Sequence, residues 1–425
     1  MTWFDLGGKI SAMKKFDRMF TVIMVIFLVG TCIVTCYRGG KDLKVGLYGV
    51  KQVINKKSPY DNPLDPNRPL FRYAPGFALF QRPFLLDSRM TAPYKFEGIL
   101  LSCFAWYWFV VFSLAISAIL LLKLNPPAGR DAVFKLKLSL LLAMPLIAYE
   151  LAAGQNKLLA LAFLLVAVYF FEKDKYFLSG ILLSLALTVY IPLVFFILYF
   201  AIRGRVRYML NFIASAFLVF IVIPSVFIGI KFNAFLLKDW FVRCVKPFSF
   251  ASSYTSYMEL RPTNQSLPGA IGRLFIMGGT HPYIYIISPE IIHYIIRVLT
   301  AIIVLLSCFA AWKEKSNNSR WLSYIIFLSL ALMLPMYCII YTWSWLFVFY
   351  FVFLGYVDFH PQPNRVKPLA VGAIIVCFLA SLSTTMMRLN TLSVLAWSTL
   401  AVWAIAVYML VNAAKLENGR EHAGS

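Results

Sequence analysis

The chain has 425 residues, of which 61% are hydrophobic, 17% aromatic and only 14% charged, with a mean hydropathy of +0.76. Water-soluble domains carry roughly 25% charged residues, so this composition excludes a soluble globular protein and implies an all-α polytopic membrane protein. The 40 Lys and Arg against 18 Asp and Glu give a net charge of +22, but the basic residues fall between apolar runs rather than along one face. That distribution argues for membrane orientation and anionic lipid, and against nucleic acid.

In chain order, apolar stretches occur near 18–36, 98–122, 134–150, 157–171, 208–230, 289–312, 321–341, 343–357, 367–387 and 391–412. Each is about long enough to cross a hydrocarbon core roughly 30 Å thick. No small-x-small site follows the first run, so a retained helix is expected there rather than a cleaved signal. The stretch 177–202 is interrupted at Tyr190-Ile191-Pro192, with Lys173 and Lys175 before it and Arg203, Arg205 and Arg207 after it. Two half-helices that enter and return to the same side are expected, which makes roughly 10–12 helices in all. The short basic connections then share one face. Both termini are expected in the cytoplasm, and two large loops, 37–97 and 231–288, on the outer face of the cell membrane. The whole of 1–425 reads as one integral membrane domain.

The cytoplasmic connections are too short for a nucleotide-binding domain, and no GxGxxG or GxxxxGK[ST] pattern opens a helix. A nucleotide sugar is therefore not the expected substrate, whereas a membrane-borne activated one acting at the outer face is. Four His without HExxH spacing, and no clustered Asp/Glu set, give no reason to expect a metal or another cofactor. Six of the seven Cys lie in the apolar runs, which is no disulfide framework.

The first outer loop opens with Arg38-Gly39-Gly40-Lys41-Asp42, after which Leu43, Leu47, Val50 and Ile54 form an apolar stripe opposite Lys44, Lys51 and Lys56. A short helix lying on the membrane surface is expected. Asp42 reads either as a juxtamembrane carboxylate neutralised by Lys41 or Arg38, or as a general base at the membrane boundary, a contribution of roughly 10²–10⁴-fold. Spacing alone leaves both open.

The strings Asp42-Leu43-Lys44-Val45 with Tyr48, Ser58-Pro59-Tyr60-Asp61 and Phe71-Arg72-Tyr73-Ala74-Pro75-Gly76-Phe77 resemble the first outer loop of glycosyltransferase family 87. Gly154-Gln155-Asn156 and Asn264-Gln265-Ser266-Leu267-Pro268-Gly269, followed by Arg273, extend the resemblance in the same order. It implies a GT-C-like fold and a mannosyltransferase-like enzyme. Such an enzyme takes a sugar from a polyprenyl phosphate at the outer face and attaches it, with inversion, to a lipid-linked or polysaccharide acceptor, and Asp42 takes the position of the base. Two departures stand out. Leu187-Thr188-Val189 lacks the Lys that family members carry before the Tyr-Pro break, and Thr342-Trp343-Ser344-Trp345 lacks their His.

The outer-loop arginines Arg72, Arg82, Arg261 and Arg273, with His281, are candidates for the donor phosphate, because guanidinium suits bidentate phosphate contacts. Their alternative is lipid head groups, and for His281 a structural role. Tyr73, Gln155, Asn156, Asn264 and Gln265 are candidates for sugar or acceptor. Gln155 and Asn156 read equally as a helix cap, Lys157 as a snorkelling lysine, and the Trp residues of 342–345 as interfacial anchors. A lipid or anionic-solute transporter is the competing function, since the break at Pro192 resembles the broken helices of transporters.

Overall fold

The computed structural model describes residues 3–61, 71–86, 89–92, 95–124, 131–246, 260–276, 287–359, 363–383 and 392–423. Within them the protein is all-helical apart from one short hairpin, β1 (Arg89–Ala92) and β2 (Lys95–Glu97). Seven helices among the described residues are long and apolar enough to cross a membrane, and four shorter apolar ones lie between them. The protein is a polytopic membrane protein.

The helices are α1 (Trp3–Arg38), α2 (Lys41–Ile54), α3 (Pro75–Gln81), α4 (Leu100–Lys123), α5 (Ala132–Ala153), α6 (Lys157–Glu172) and α7 (Tyr176–Val189). They continue with α8 (Phe195–Phe217) and α9 (Ile223–Ile228). After α10 (Ile230–Trp240) and α11 (Leu267–Phe275) come α12 (Pro289–Trp312), α13 (Asn317–Met333), α14 (Leu346–Phe359), α15 (Pro363–Ser383) and α16 (Val394–Ala423). One layer is made by α4, α6, α7 and α8 and a second by α13 to α16, with α5 packed against α14 between them. A large core fills the space, with Trp106, Trp343 and Trp345 among its largest fully buried side chains, and a second, smaller cluster gathers Val53, Tyr60, Phe71, Ala78, Ile228, Leu236 and Cys244.

The interrupted stretch folds as a helical hairpin. α7 ends at Val189 and a 3₁₀ turn, Ile191–Val194, follows the extended Tyr190. Phe171, just before α7, packs on Phe200, beyond that break, with ring centroids 4.5 Å apart, so the chain that leaves through α7 has come back beside its start by Phe200; Tyr208 packs on both rings at 5.2 and 4.8 Å.

Near 321–341 the structure differs from the sequence expectation. The helix stops at Met333, because Pro335, two residues on, has no N–H with which to continue the ladder. The chain then runs extended, pairs Ile339 with Asn264 in an isolated bridge, and enters α14 through the 3₁₀ turn Ile340–Trp345. Trp343 and Trp345 are fully buried rather than interfacial.

The regions 37–97 and 231–288 meet through described residues of both. Arg243 pairs with Asp61 at 2.8 Å and with Asp239 at 2.6 Å, Ser58 donates to Asp239, and Trp240 Nε1 donates to the Arg72 carbonyl at 3.1 Å. The stripe of α2 is covered by the chain itself: Leu43, Leu47 and Val50 are buried, and only Ile54 is exposed.

Candidate active site

Asp42 stands where it does because two glycines allow two backbones to touch. Gly40 at φ 47° turns the chain from α1 into α2, and Gly154 at φ 70° ends α5. Left-handed backbone of this kind carries little cost only without a Cβ. A Cβ on Gly154 would lie 3.1 Å from the Gly40 Cα. Trp106 Nε1 holds the Gly154 carbonyl at 3.1 Å, and Thr35 Oγ1 holds that of Leu151 at 2.9 Å. The first turn of α2 is thus set against Gln155, whose Nε2 donates to Asp42 Oδ2.

Burial raises the Asp42 carboxyl above the ordinary carboxylate range; the Gln155 hydrogen bond and the charges of Lys41, Lys157 and Arg72 oppose that rise. The start of α2 also favours the anion. A half-buried carboxylate poised this way is suited to take a proton near neutral pH.

Asn156 begins α6 without making a side-chain cap; its amide meets the phenol of Tyr73 instead. Burial and the nearby Asp42 push that phenol up, so it remains a donor. Tyr73 is placed by Tyr60, whose hydroxyl donates to the Tyr73 carbonyl at 3.0 Å, and by Ala74 N, which donates to Thr188 O at 3.0 Å. The Lys157 ammonium lies 4.5 Å from the Tyr190 ring centroid and 5.5 Å from that of Tyr73. Lys157 is buried rather than snorkelling. Behind it Glu150, with no exposed surface, accepts from Leu158 N at 2.6 Å and from Ser344 Oγ. Trp345 Nε1 donates to the Lys157 carbonyl at 3.0 Å.

Arg72 completes the group, its guanidinium 4.9 Å from the ring centroid of Tyr337. Tyr337 also feels the charges of Arg261 and Asp42. Asn264 and Gln265 grip the chain on either side of that tyrosine. Asn264 Nδ2 donates to Met336 O at 2.9 Å, Asn264 Oδ1 accepts from Cys338 N at 2.9 Å, and Gln265 N donates to Cys338 O at 2.7 Å. Gln265 Nε2 donates to Pro262 O at 2.6 Å. Both side chains are thus bonded to the backbone of this turn. Arg273 is 2% exposed and donates to Arg261 O and Asn264 O, each at 2.7 Å, and to Ser393 Oγ. It shapes the turn that carries Arg261. Arg82 is exposed at the end of α3, outside the interactions that join these residues. His281 lies outside the described residues.

Of the residues singled out in the sequence, Asp42, Arg72, Tyr73, Gln155 and Asn156 come together, Arg261 borders them, and Asn264, Gln265 and Arg273 stand behind as supports. Sequence reasoning missed Glu150, Lys157, Tyr190, Tyr337 and Tyr341. A carboxylate inside an apolar run was the available signal for Glu150. Tyr341, which joins Tyr149 in a stacked pair at 6.2 Å, gave none.

Fold and site together define an integral membrane protein with a carboxylate, amides, an ammonium and a guanidinium gathered at one end of its helix bundle. Glycosyltransferase family 87 matches this sequence over residues 71–336, and the chain belongs to that family; it is a membrane glycosyltransferase. The matched region begins beyond Asp42 and includes Arg72, Tyr73, Gln155, Asn156, Lys157 and Arg261. No curated protein and no solved structure matches the chain.

Proposed function

We propose that this glycosyltransferase moves a sugar, with mannose favoured, from a polyprenyl phosphate to a lipid-linked or polysaccharide acceptor at the extracytoplasmic face of the cell membrane. In this reading the fold is GT-C-like and both termini are cytoplasmic. The observation that carries the proposal is the Asp42 carboxylate, held by Gln155 in a half-buried site beside two cations and the faces of Tyr73 and Tyr337.

The chemistry follows from these parts. An acceptor hydroxyl hydrogen-bonded to Asp42 loses its proton to the carboxylate as its oxygen attacks the sugar C1. The bond between C1 and the phosphate oxygen breaks on the opposite face, its electron pair staying on the phosphate, and attack from behind inverts the centre. Phosphate needs no protonation to leave if fixed cations offset its charge, a role for Arg72 at the site. Aromatic rings supply apolar surface for sugar and isoprenoid. This mechanism uses neither nucleotide nor metal.

Purified protein given labelled polyprenyl-phosphate mannose, alongside a panel of other polyprenyl-phosphate sugars, is expected to transfer label to a lipid acceptor. Transfer is expected to fail with nucleotide sugars. Equal turnover by Asp42→Asn and wild type, or reaction of the carboxylate with a membrane-impermeant reagent only from the cytoplasmic side, would overturn the reading.

A further inference from the structure

Of the three cations whose charges act on Asp42, Lys41 is exposed and Arg72 half-buried, and Lys157 is the buried one. Its residue is 9% exposed, and within the described residues its Nζ takes part in two ring contacts but in no hydrogen bond or ion pair. Glu150 is the first charge to act on it. Both Glu150 oxygens, however, are already engaged, one by Leu158 N and the other by Ser344. An ammonium carries three donors, and within the described residues none of those of Lys157 meets a protein acceptor, which leaves them to a ligand that enters the site.

The surroundings fix this ammonium rather than let it swing out. The Tyr190 and Tyr73 rings flank it, Trp345 stands edge-on to Tyr190 at 5.3 Å and holds the Lys157 carbonyl, and Tyr190 is anchored by donating to Ala331 O at 2.9 Å. Its donors are thus preorganised beside the Tyr73 ring, close enough to Asp42 for the two charges to act on each other. Ring faces attract a cation but accept no strong hydrogen bond, so the vacant acceptor role suits an anionic oxygen.

We infer that Lys157 binds the phosphate of the donor, its ammonium donating to a phosphate oxygen, while Asp42 faces the acceptor across the transferred sugar. This rests on the polyprenyl-phosphate reading above. In the transfer step the electron pair of the breaking bond between C1 and oxygen stays on that phosphate, where Lys157 offsets the charge. The acceptor proton goes to Asp42. Arg72 is the second, more open cation, and Arg273 has no part because its guanidinium is committed to backbone carbonyls.

The test compares binding of polyprenyl phosphate and of the uncharged polyprenol of the same chain length to purified wild type, Lys157→Gln, Lys157→Arg and Asp42→Asn, with label transfer measured in parallel. Lys157→Gln is expected to raise the half-saturating concentration of polyprenyl phosphate about tenfold or more, as loss of a charge-assisted hydrogen bond does, and to leave polyprenol binding unchanged. Asp42→Asn is expected to bind polyprenyl phosphate as wild type does while failing in transfer. If Lys157→Gln does not fold, Lys157→Arg carries the test, since a bulkier cation between two rings is expected to weaken polyprenyl phosphate severalfold and polyprenol not at all. A Lys157 variant that binds the phosphate as tightly as a transferring wild type overturns the inference alone. A wild type that neither transfers nor prefers the phosphate over the alcohol overturns the functional reading with it.

Discussion

At Glu172, the last residue of α6, the carboxylate is held by Arg320 and by Tyr324, whose hydroxyl donates at 2.5 Å. Arg320 also pairs with Glu314 at 3.3 Å, and Glu314 takes Arg203 at 3.4 Å. At the first residue of the same helix, about 22 Å away at the usual rise, Lys157 has ring faces for neighbours, and the carboxylate nearby, Asp42, is held by an amide. The ingredients are alike: buried carboxylates, cations and tyrosines. At the Glu172 end each carboxylate meets a cation directly and the network closes on itself, which is how a fold stabilises buried charge. At the Lys157 end the pairing is left open. Charge kept in place without its partner is what chemistry requires, and a helix with one end of each kind separates holding the bundle from acting on a substrate.

The comparison breaks first at Asp42. Asp42→Asn is expected to lower transfer by roughly 10²–10⁴-fold, measured with labelled donor, without lowering the melting temperature. The sign follows from burial. Because the folded carboxyl titrates above its ordinary value of 3.8, folding disfavours the ionised form, and stability falls as pH rises from about that value through the folded one. The neutral amide removes that penalty, so a substantial drop in melting temperature would count against an open, functional Asp42.

The opposite end is expected to behave in reverse. Glu314→Ala leaves Arg203 and Arg320 facing each other and is expected to cost about 2–3 kcal/mol. That is below the roughly 3–5 kcal/mol of fully buried pairs, because their side chains keep 29% and 27% of their exposure. Transfer per folded molecule should stay at the wild-type level, as unfolding and activity assays on the same preparation would reveal.

A backbone change sharpens the contrast. Gly154→Ala forces a side chain into left-handed backbone and toward Gly40, at about 1–2 kcal/mol, and shifts Gln155 relative to Asp42. Transfer is expected to fall about tenfold, more than the small stability loss explains.

The smallest effect is in the pH profile. Transfer should rise with pH as Asp42 ionises, with a midpoint above 3.8, and Lys157→Gln or Arg72→Gln should move the midpoint higher, since both cations favour the anion. A midpoint unmoved by either change would mean that these charges do not reach Asp42.

Much of the fold was legible because lipid makes one demand on sequence that can be read locally. Long apolar runs must be helices, since only a helix satisfies its own backbone in hydrocarbon. The break at Tyr190-Ile191-Pro192 marked the hairpin for a similar reason, as proline cannot continue a helix. The stop at Met333 was equally signalled by Pro335 but lay hidden inside an unbroken apolar run. Asp42, Arg72, Tyr73, Gln155 and Asn156 were found through the resemblance, not through periodicity.

By itself, then, the sequence determined the all-helical membrane architecture and the short list of polar residues able to do chemistry, since hydropathy and backbone satisfaction act over a few turns of chain. Only the tertiary structure decided which of those residues gather around Asp42 and which are tied to backbone. Arg273 and Arg72 look alike in sequence, yet one is bound to carbonyls and the other faces a tyrosine beside the carboxylate. Lys157, read from the sequence as a snorkelling lysine, is enclosed by rings from distant segments. Whether a charge is matched or left open depends on neighbours that packing alone brings together.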